Sequence, residues 1–205
     1  MPKLNIPDPN FYKLLVENIS SDKKTDITIE NTQSVKKIDC SNKNISSLEG
    51  LEHFTNLTHL NCSNNKLTYL DISKNTLLVN IDCESNKIKE LDVSKNISLI
   101  ELSCGNNQLT SIDLSNNLSL MELYCYINRI KKLDIQNNLA LKELWCFGNP
   151  LKGWDLNYNK SIITLKCDHN QLIGFIPSSC ESLRELTLNN LEMKGCYRTW
   201  TIKFK

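Results

Sequence analysis

Long hydrophobic runs are missing from this 205-residue chain. No stretch of about 18 apolar residues occurs, which excludes a membrane-spanning helix. A surplus of one charge is missing too: 24 basic residues face 23 acidic ones, for a net charge of +1. No overall field therefore recruits nucleic acid or anionic lipid. Histidine is scarce, with His53, His59 and His169 the full set. There is no C-x-x-C pair and no Cys/His cluster of metal-ligand spacing. The grouped histidine, carboxylate and nucleophile that an active site needs is not found either. The chain is therefore expected to be non-enzymatic, with no cofactor and no metal. It begins Met1-Pro2-Lys3 without the apolar stretch of a secretory signal. That fits either a cytoplasmic start or a mature exported chain behind a new methionine.

Cysteine, by contrast, is abundant and regular. Of nine, seven (Cys40, Cys62, Cys83, Cys104, Cys125, Cys146 and Cys167) fall 22, 21, 21, 21, 21 and 21 residues apart. A fixed period of that size marks a repeat array. The flanks repeat as well: Leu99, Leu102, Cys104, Asn107 and Leu109 in one copy, Leu120, Leu123, Cys125, Asn128 and Ile130 in the next. The pattern L-x-x-L-x-C-x-x-N-x-L is the leucine-rich repeat, present about seven times with a degenerate eighth copy centred on Leu188. It predicts a right-handed solenoid with a parallel concave β-sheet and an extended or turn-like convex side. Each coil touches only its neighbours, and the two ends need caps. The expected division is an N-terminal helical cap over 1–34, repeats over 35–188 and a C-terminal cap over 189–205. In such an array His59 and His169 lie five coils apart, on the order of 24 Å, too far to share a role.

Several positions read as structural. The seven cysteines fill the inward slot usually held by leucine, as small buried hydrophobes with inert thiols. Their parallel inward vectors do not favour disulfide geometry. Cys180 and Cys196 break register, and a bond between them is left open. Asn65, Asn86, Asn107, Asn128, Asn149 and Asn170 form one amide ladder; Asn75, Asn96, Asn117, Asn138 and Asn159 form a second across the coil. Each amide offers donors and an acceptor to successive coils, whose buried backbone needs partners. Asp8-Pro9 looks like a helix start, followed by Phe11, Leu14, Leu15 and Ile19 at helical spacing. One short helix there would cover the open sheet edge. The stretch after Leu48, Glu49 to Leu57, is one residue longer than its counterparts and predicts a helical turn. Trp154 stands in place of a core leucine. The alternation of Trp200, Ile202 and Phe204 suggests a last strand or a capping arm.

Ile6-Pro7-Asp8-Pro9-Asn10-Phe11, Ile45 to Leu51, Phe54-Thr55-Asn56-Leu57 and the repeated Leu-Asp-x-Ser-x-Asn (Leu70 to Asn75, Leu91 to Asn96) carry a resemblance that covers nearly the whole chain. The sequence resembles bacterial internalin-like leucine-rich-repeat surface proteins, especially the 21-residue, cysteine-containing type common in Bacteroidetes. The resemblance implies an exported, secreted or cell-surface protein that binds a host or matrix protein in an adhesion or virulence-type role. Relatives often carry a calcium loop in the cap. The matching stretch here, Ser20 to Thr28, has lysine at a ligand position, Thr25 for the turn glycine and no closing acid, so it implies packing rather than calcium.

The variable positions hold the functional signal. Asp71, Asp92, Asp113, Asp134 and Asp155 stack on the convex side, either as a cation site or as acceptors for backbone N–H groups in their own turns. On the concave face, the residue before each cysteine reads Asp39, Asn61, Asp82, Ser103, Tyr124, Trp145, Lys166. The residue after reads Ser41, Ser63, Glu84, Gly105, Tyr126, Phe147, Asp168. Small and polar side chains thus give way to four aromatics on two adjacent coils, with Ile127 beside them. Glu101, Glu122 and Glu143 form an acidic margin, with Lys142, Lys166 and Arg129 nearby. Each large aromatic can bury roughly 150–250 Å², so four approach a standard half-interface of about 800 Å². Tyr124, Tyr126, Ile127, Trp145, Phe147, Glu101, Glu122, Glu143 and Lys166 are the expected partner-binding residues. Three alternatives stand beside that reading. The rings pack on one another or under a C-terminal arm; the same patch pairs two copies as a homodimer; or the chain is an intracellular scaffold.

Overall fold

The structure is a computed structural model that describes residues 3–19, 27–152, 156–168, 182–190 and 198–203. Trp154, Asp155, His169, Asn170, Cys180, Cys196, Phe204 and residues 20–26 of the calcium-loop match lie outside the described residues.

Among the described residues, nine strands form one sheet in chain order. They are β1 (Lys37–Asp39), β2 (His59–Asn61), β3 (Asn80–Asp82), β4 (Glu101–Ser103), β5 (Glu122–Tyr124), β6 (Glu143–Trp145), β7 (Thr164–Asp168), β8 (Glu185–Asn190) and β9 (Arg198–Lys203). The first eight are parallel, and each advances by one repeat, so that Leu60, Ile81, Leu102, Leu123, Leu144 and Leu165 stand in register. The apolar positions of the repeat point inward to a single continuous core, from Phe11 and Leu15 to Leu188. The chain is thus the leucine-rich-repeat solenoid that the period predicts.

The same residues recur at each corner. Two residues past the cysteine the backbone turns left-handed, at Asn42, Asn64, Ser85, Asn106, Ile127 and Gly148. Asparagine, serine and glycine tolerate that region; a β-branched residue there is an outlier. One position further, the first amide ladder bridges coils. Asn86 Nδ2 donates to Cys62 O and Cys83 O, while its Oδ1 accepts from Leu67 N at 2.9 Å. The second ladder satisfies half of the expectation. Asn117 Nδ2 donates to Val93 O and Asn96 O, but Oδ1 of Asn75, Asn96, Asn117 and Asn159 is buried without a donor among the described residues. The partners presented to these amides are carbonyls, which only the Nδ2 groups can use.

Asp8 ties the N-terminal cap to the array. Its Oδ1 accepts from the Asn10 and Phe11 N–H groups, starting α1 (Pro9–Ile19) as the sequence predicts. Its Oδ2 accepts from Ser46 N and Ser46 Oγ, both at 2.8 Å. The cap holds more than the one helix expected: a second, one-turn helix, α2 (Ile29–Gln33), follows. The expected helical turn in the longer first coil is a 3-10 turn at Leu51–His53, entered through Gly50 at φ +100°. Gly50 holds this left-handed φ with Ile6 and the Asn5 carbonyl packed against it, a conformation that favours glycine. At the other end, Leu188 takes the cysteine position, in register with Cys167. β9 then adds antiparallel to β8. The strand alternative for the C-terminal residues is the one realised, and β9 extends the sheet instead of folding across the aromatic cluster.

Candidate functional site

The strand alternation places Tyr124 and Trp145 opposite each other on β5 and β6, with Lys166 next on β7. Tyr126 and Phe147 follow just beyond the strands. Their rings touch. Tyr124 meets Trp145 edge-on at 5.0 Å between centroids, Tyr126 stacks on Phe147 at 4.9 Å and 10°, and Tyr126 lies 6.2 Å from Trp145. Lys166 Nζ sits 3.5 Å from the centroid of the Trp145 ring, a cation–π contact. All four aromatics stay partly exposed, and Ile127 is 49% exposed beside them. The rings thus pack on one another and still face solvent.

The acidic margin is wired into the cluster. Glu101, Glu122 and Glu143 stand in register on adjacent strands. Tyr124 Oη donates to Glu122 Oε2 at 2.8 Å, Trp145 Nε1 to Glu143 Oε1 at 2.9 Å, and Asn80 Nδ2 to Glu101 Oε2 at 2.5 Å. Tyr126 reaches two coils back, donating to Glu84. Its ring crosses Gly105, where a Cβ would lie 2.7 Å from a ring carbon. Burial, reinforced by hydrogen bonds to Glu122 and to Glu84, pushes the Tyr124 and Tyr126 hydroxyls well above the ordinary phenol value, so both stay protonated donors. Burial, with Glu84 and Asp39 close by, raises the Asp82 carboxyl. None of Glu101, Glu122 and Glu143 has an ion-pair partner among the described residues, where the pairs are Lys13–Glu17 and His53–Glu52.

Glu84 and Gly105 were missed by sequence reasoning as part of the cluster. The only signal was glycine at the post-cysteine position one coil before Tyr126. A second surface was missed as well: Ile97, Leu118 and Leu139, each following a second-ladder asparagine, are 62%, 59% and 57% exposed on adjacent coils. Lys142 and Arg129 make no ion pair with the margin among the described residues.

The remaining candidates are structural. Oδ1 of Asp71, Asp92, Asp113 and Asp134 accepts from the N–H two residues on, at 2.9, 2.8, 2.9 and 3.3 Å. The Ser94 hydroxyl and N–H hold the Asp92 carboxyl below its ordinary value, and the N–H groups and hydroxyls of Ser73 and Ser115 do the same for Asp71 and Asp113. No group of three His, Cys, Asp or Glu among the described residues could hold a metal ion. The seven ladder cysteines are buried and free. Burial pushes the thiols of Cys40, Cys125 and Cys167 up to about 12, and those of Cys62, Cys104 and Cys146 well above the ordinary value. A cleft of about 440 Å³ between α1 and the first coil is lined by Asn10, Lys13, Glu17 and Asp39, away from the aromatics. The aromatic face itself is an open surface.

Known proteins agree with this architecture. The model for leucine-rich repeats in two copies matches residues 33–75. No curated protein matches the sequence. Among solved structures, the functional domain of InlJ from Listeria monocytogenes, which includes a cysteine ladder, is 29% identical with a TM-score of 0.64. That alignment covers 92% of this chain and 52% of the InlJ functional-domain structure. The internalin InlF of the same organism is 20% identical with a TM-score of 0.79, over 88% of this chain and 56% of its own. Internalin C2, also from Listeria monocytogenes, is 19% identical with a TM-score of 0.75, over 87% and 82%. The chain spans about half the length of the InlJ and InlF structures. In fold and repeat pattern the chain is a leucine-rich-repeat solenoid similar to these internalin structures.

Proposed function

We propose that the chain is a non-enzymatic protein-binding module, exported to the cell surface or secreted, that engages a host or matrix protein through its concave face. The contact surface is Tyr124, Tyr126, Ile127, Trp145 and Phe147, rimmed by Glu101, Glu122, Glu143 and Lys166. The observation that carries the reading is the ring cluster itself: four aromatics, mutually packed yet open to solvent, inside a charged rim. Tyrosine and tryptophan in such a setting are typical binding hot spots. Their packing also favours binding, because rings already held in place lose little rotamer freedom when a partner lands. Likeness to the internalins supports the surface and host-facing part of the reading. No helix among the described residues is long and apolar enough to cross a membrane.

A pull-down from host serum and cell-surface extract tests this, comparing the native chain with a Tyr124→Ala/Trp145→Ala/Phe147→Ala variant. A protein captured by the native chain and lost by a folded variant supports the site; equal capture by both removes it. The contacts of Trp145 with Tyr124, Tyr126 and Lys166 mean that the variant melts lower, since each aromatic pair contributes about 0.5–1.5 kcal/mol. The comparison is therefore made well below its melting temperature. The second reading, a homodimer through the same patch, predicts a mass by light scattering that rises with concentration and falls in the variant.

A further inference from the structure

We propose that the partner segment is cationic: a lysine- or arginine-bearing polypeptide whose basic side chains take the place that Lys166 holds in the free protein. The inference rests on the concave face being the docking surface. It deepens that reading through two features, the charge of the face and the contact of Lys166.

The chain is balanced overall at +1, but its concave face is not. From β1 to β7, the outward strand and post-cysteine positions not buried carry Asp39, Asp82, Glu84, Glu101, Glu122 and Glu143 against Lys37 and Lys166. The three glutamates of the margin stand about 4.8 Å apart on adjacent strands. Each accepts a hydrogen bond from a neutral donor and none has an ion-pair partner among the described residues. Like charges stand side by side along this margin, and an incoming cation lowers their mutual repulsion. A sulfated or sialylated glycan would add to it.

Lys166 shows how a cation sits here. Its ammonium lies on the Trp145 ring at 3.5 Å from the centroid, while the edge of the same ring donates to Glu143. Face and carboxylate together form the setting that aromatic recognition sites offer to ammonium and guanidinium groups. The acidic margin crosses three coils, on the order of 10 Å, on an open surface. That suits several basic side chains on one extended segment better than a single small amine. Lys166 is then a resident competitor, displaced on binding.

The test is isothermal titration with three probes: a short Lys/Arg-rich peptide, its Glu-for-basic counterpart and a heparin oligosaccharide. The basic peptide is expected to bind and to weaken as salt rises from about 0.05 M to about 0.5 M, where exposed charges are screened. A Glu101→Gln/Glu122→Gln/Glu143→Gln variant, shown folded by circular dichroism, should bind it roughly tenfold more weakly. Lys166→Met, which vacates the tryptophan face and removes one positive charge, should bind it several-fold more tightly. Tighter binding of heparin or of the acidic peptide, no binding of the basic peptide, or indifference to both substitutions would overturn the inference. The docking reading fails separately. If a captured protein is lost by Trp145→Ala yet unaffected by the glutamine variant, the surface stands and its cationic partner does not. If capture ignores Trp145→Ala, both fall.

Discussion

Ile127 is the residue whose chemistry fits its position least. Five other coils place Asn42, Asn64, Ser85, Asn106 and Gly148 at this left-handed corner, while here a β-branched side chain holds φ +48°. A left-handed conformation costs an L-residue with a Cβ roughly 1–2 kcal/mol, and strain of this kind gathers at functional sites. Half-exposed next to the aromatic cluster, Ile127 gains little from burial in exchange. Ile127→Asn is therefore expected to raise the urea midpoint, by about 1 kcal/mol of stability, and to weaken partner binding. A loss of stability would show that the corner prefers isoleucine for packing. Asp8 is the opposite case, a carboxylate satisfied from two sides. Burial acts to raise its pKa, but bonds from Ser46, Phe11 and Asn10 outweigh it and hold the carboxyl below its ordinary value. The stability it contributes is present above the unfolded value of about 3.9 and is lost as pH falls through the lower folded value. Asp8→Ala should cost about 1–2 kcal/mol at pH 7, with the difference from the native chain shrinking in acid. A cost that stays constant down to pH 2.5, a value chosen roughly below the unfolded carboxylate range, would mean the charge is irrelevant.

At the scale of the coil, the cysteine spacing was enough to read the strands, their register and the inward direction of each thiol. It was enough for the first amide ladder, because these contacts lie within one repeat or between adjacent ones; for the aspartate row it left two alternatives, of which the bonds at Asp71, Asp92, Asp113 and Asp134 realise the turn. What escaped spans more than one coil or breaks the period. The reach of Tyr126 across Gly105 to Glu84 joins residues 42 positions apart. α2 is five mostly polar residues with no apolar periodicity to announce it. The exposed Ile97, Leu118 and Leu139 are periodic, but apolar residues in this repeat are normally inward, and only the structure separates them from the core. The cysteine ladder yields its own prediction. In a Cys180→Ser/Cys196→Ser background, the folded protein should show no thiol that reacts with a disulfide reagent at pH 8, because its thiolates are suppressed by burial. Denaturant should expose all seven. A ladder thiol that reacts at the rate of a free cysteine would mean that the coils open locally.

Across the whole molecule, the solenoid sorts its residues by direction. Leucine, cysteine and asparagine face inward and fix the array, the aspartates tie the convex turns, and the outward strand positions are left free to vary. On this chain they vary toward a polar, acidic first half and an aromatic second half. That gradient was legible in the sequence; the packing of the rings and the seat of Lys166 on Trp145 were not, since both depend on side-chain directions across strands. The account stands or falls on which surface a partner touches. A photo-crosslinking residue placed at Phe147, and separately at Leu118 on the exposed aliphatic row, measures this directly in the presence of host serum and cell-surface extract. The account predicts a specific adduct from position 147 and none from position 118. An adduct from position 118 alone would move the interface off the concave face and contradict it.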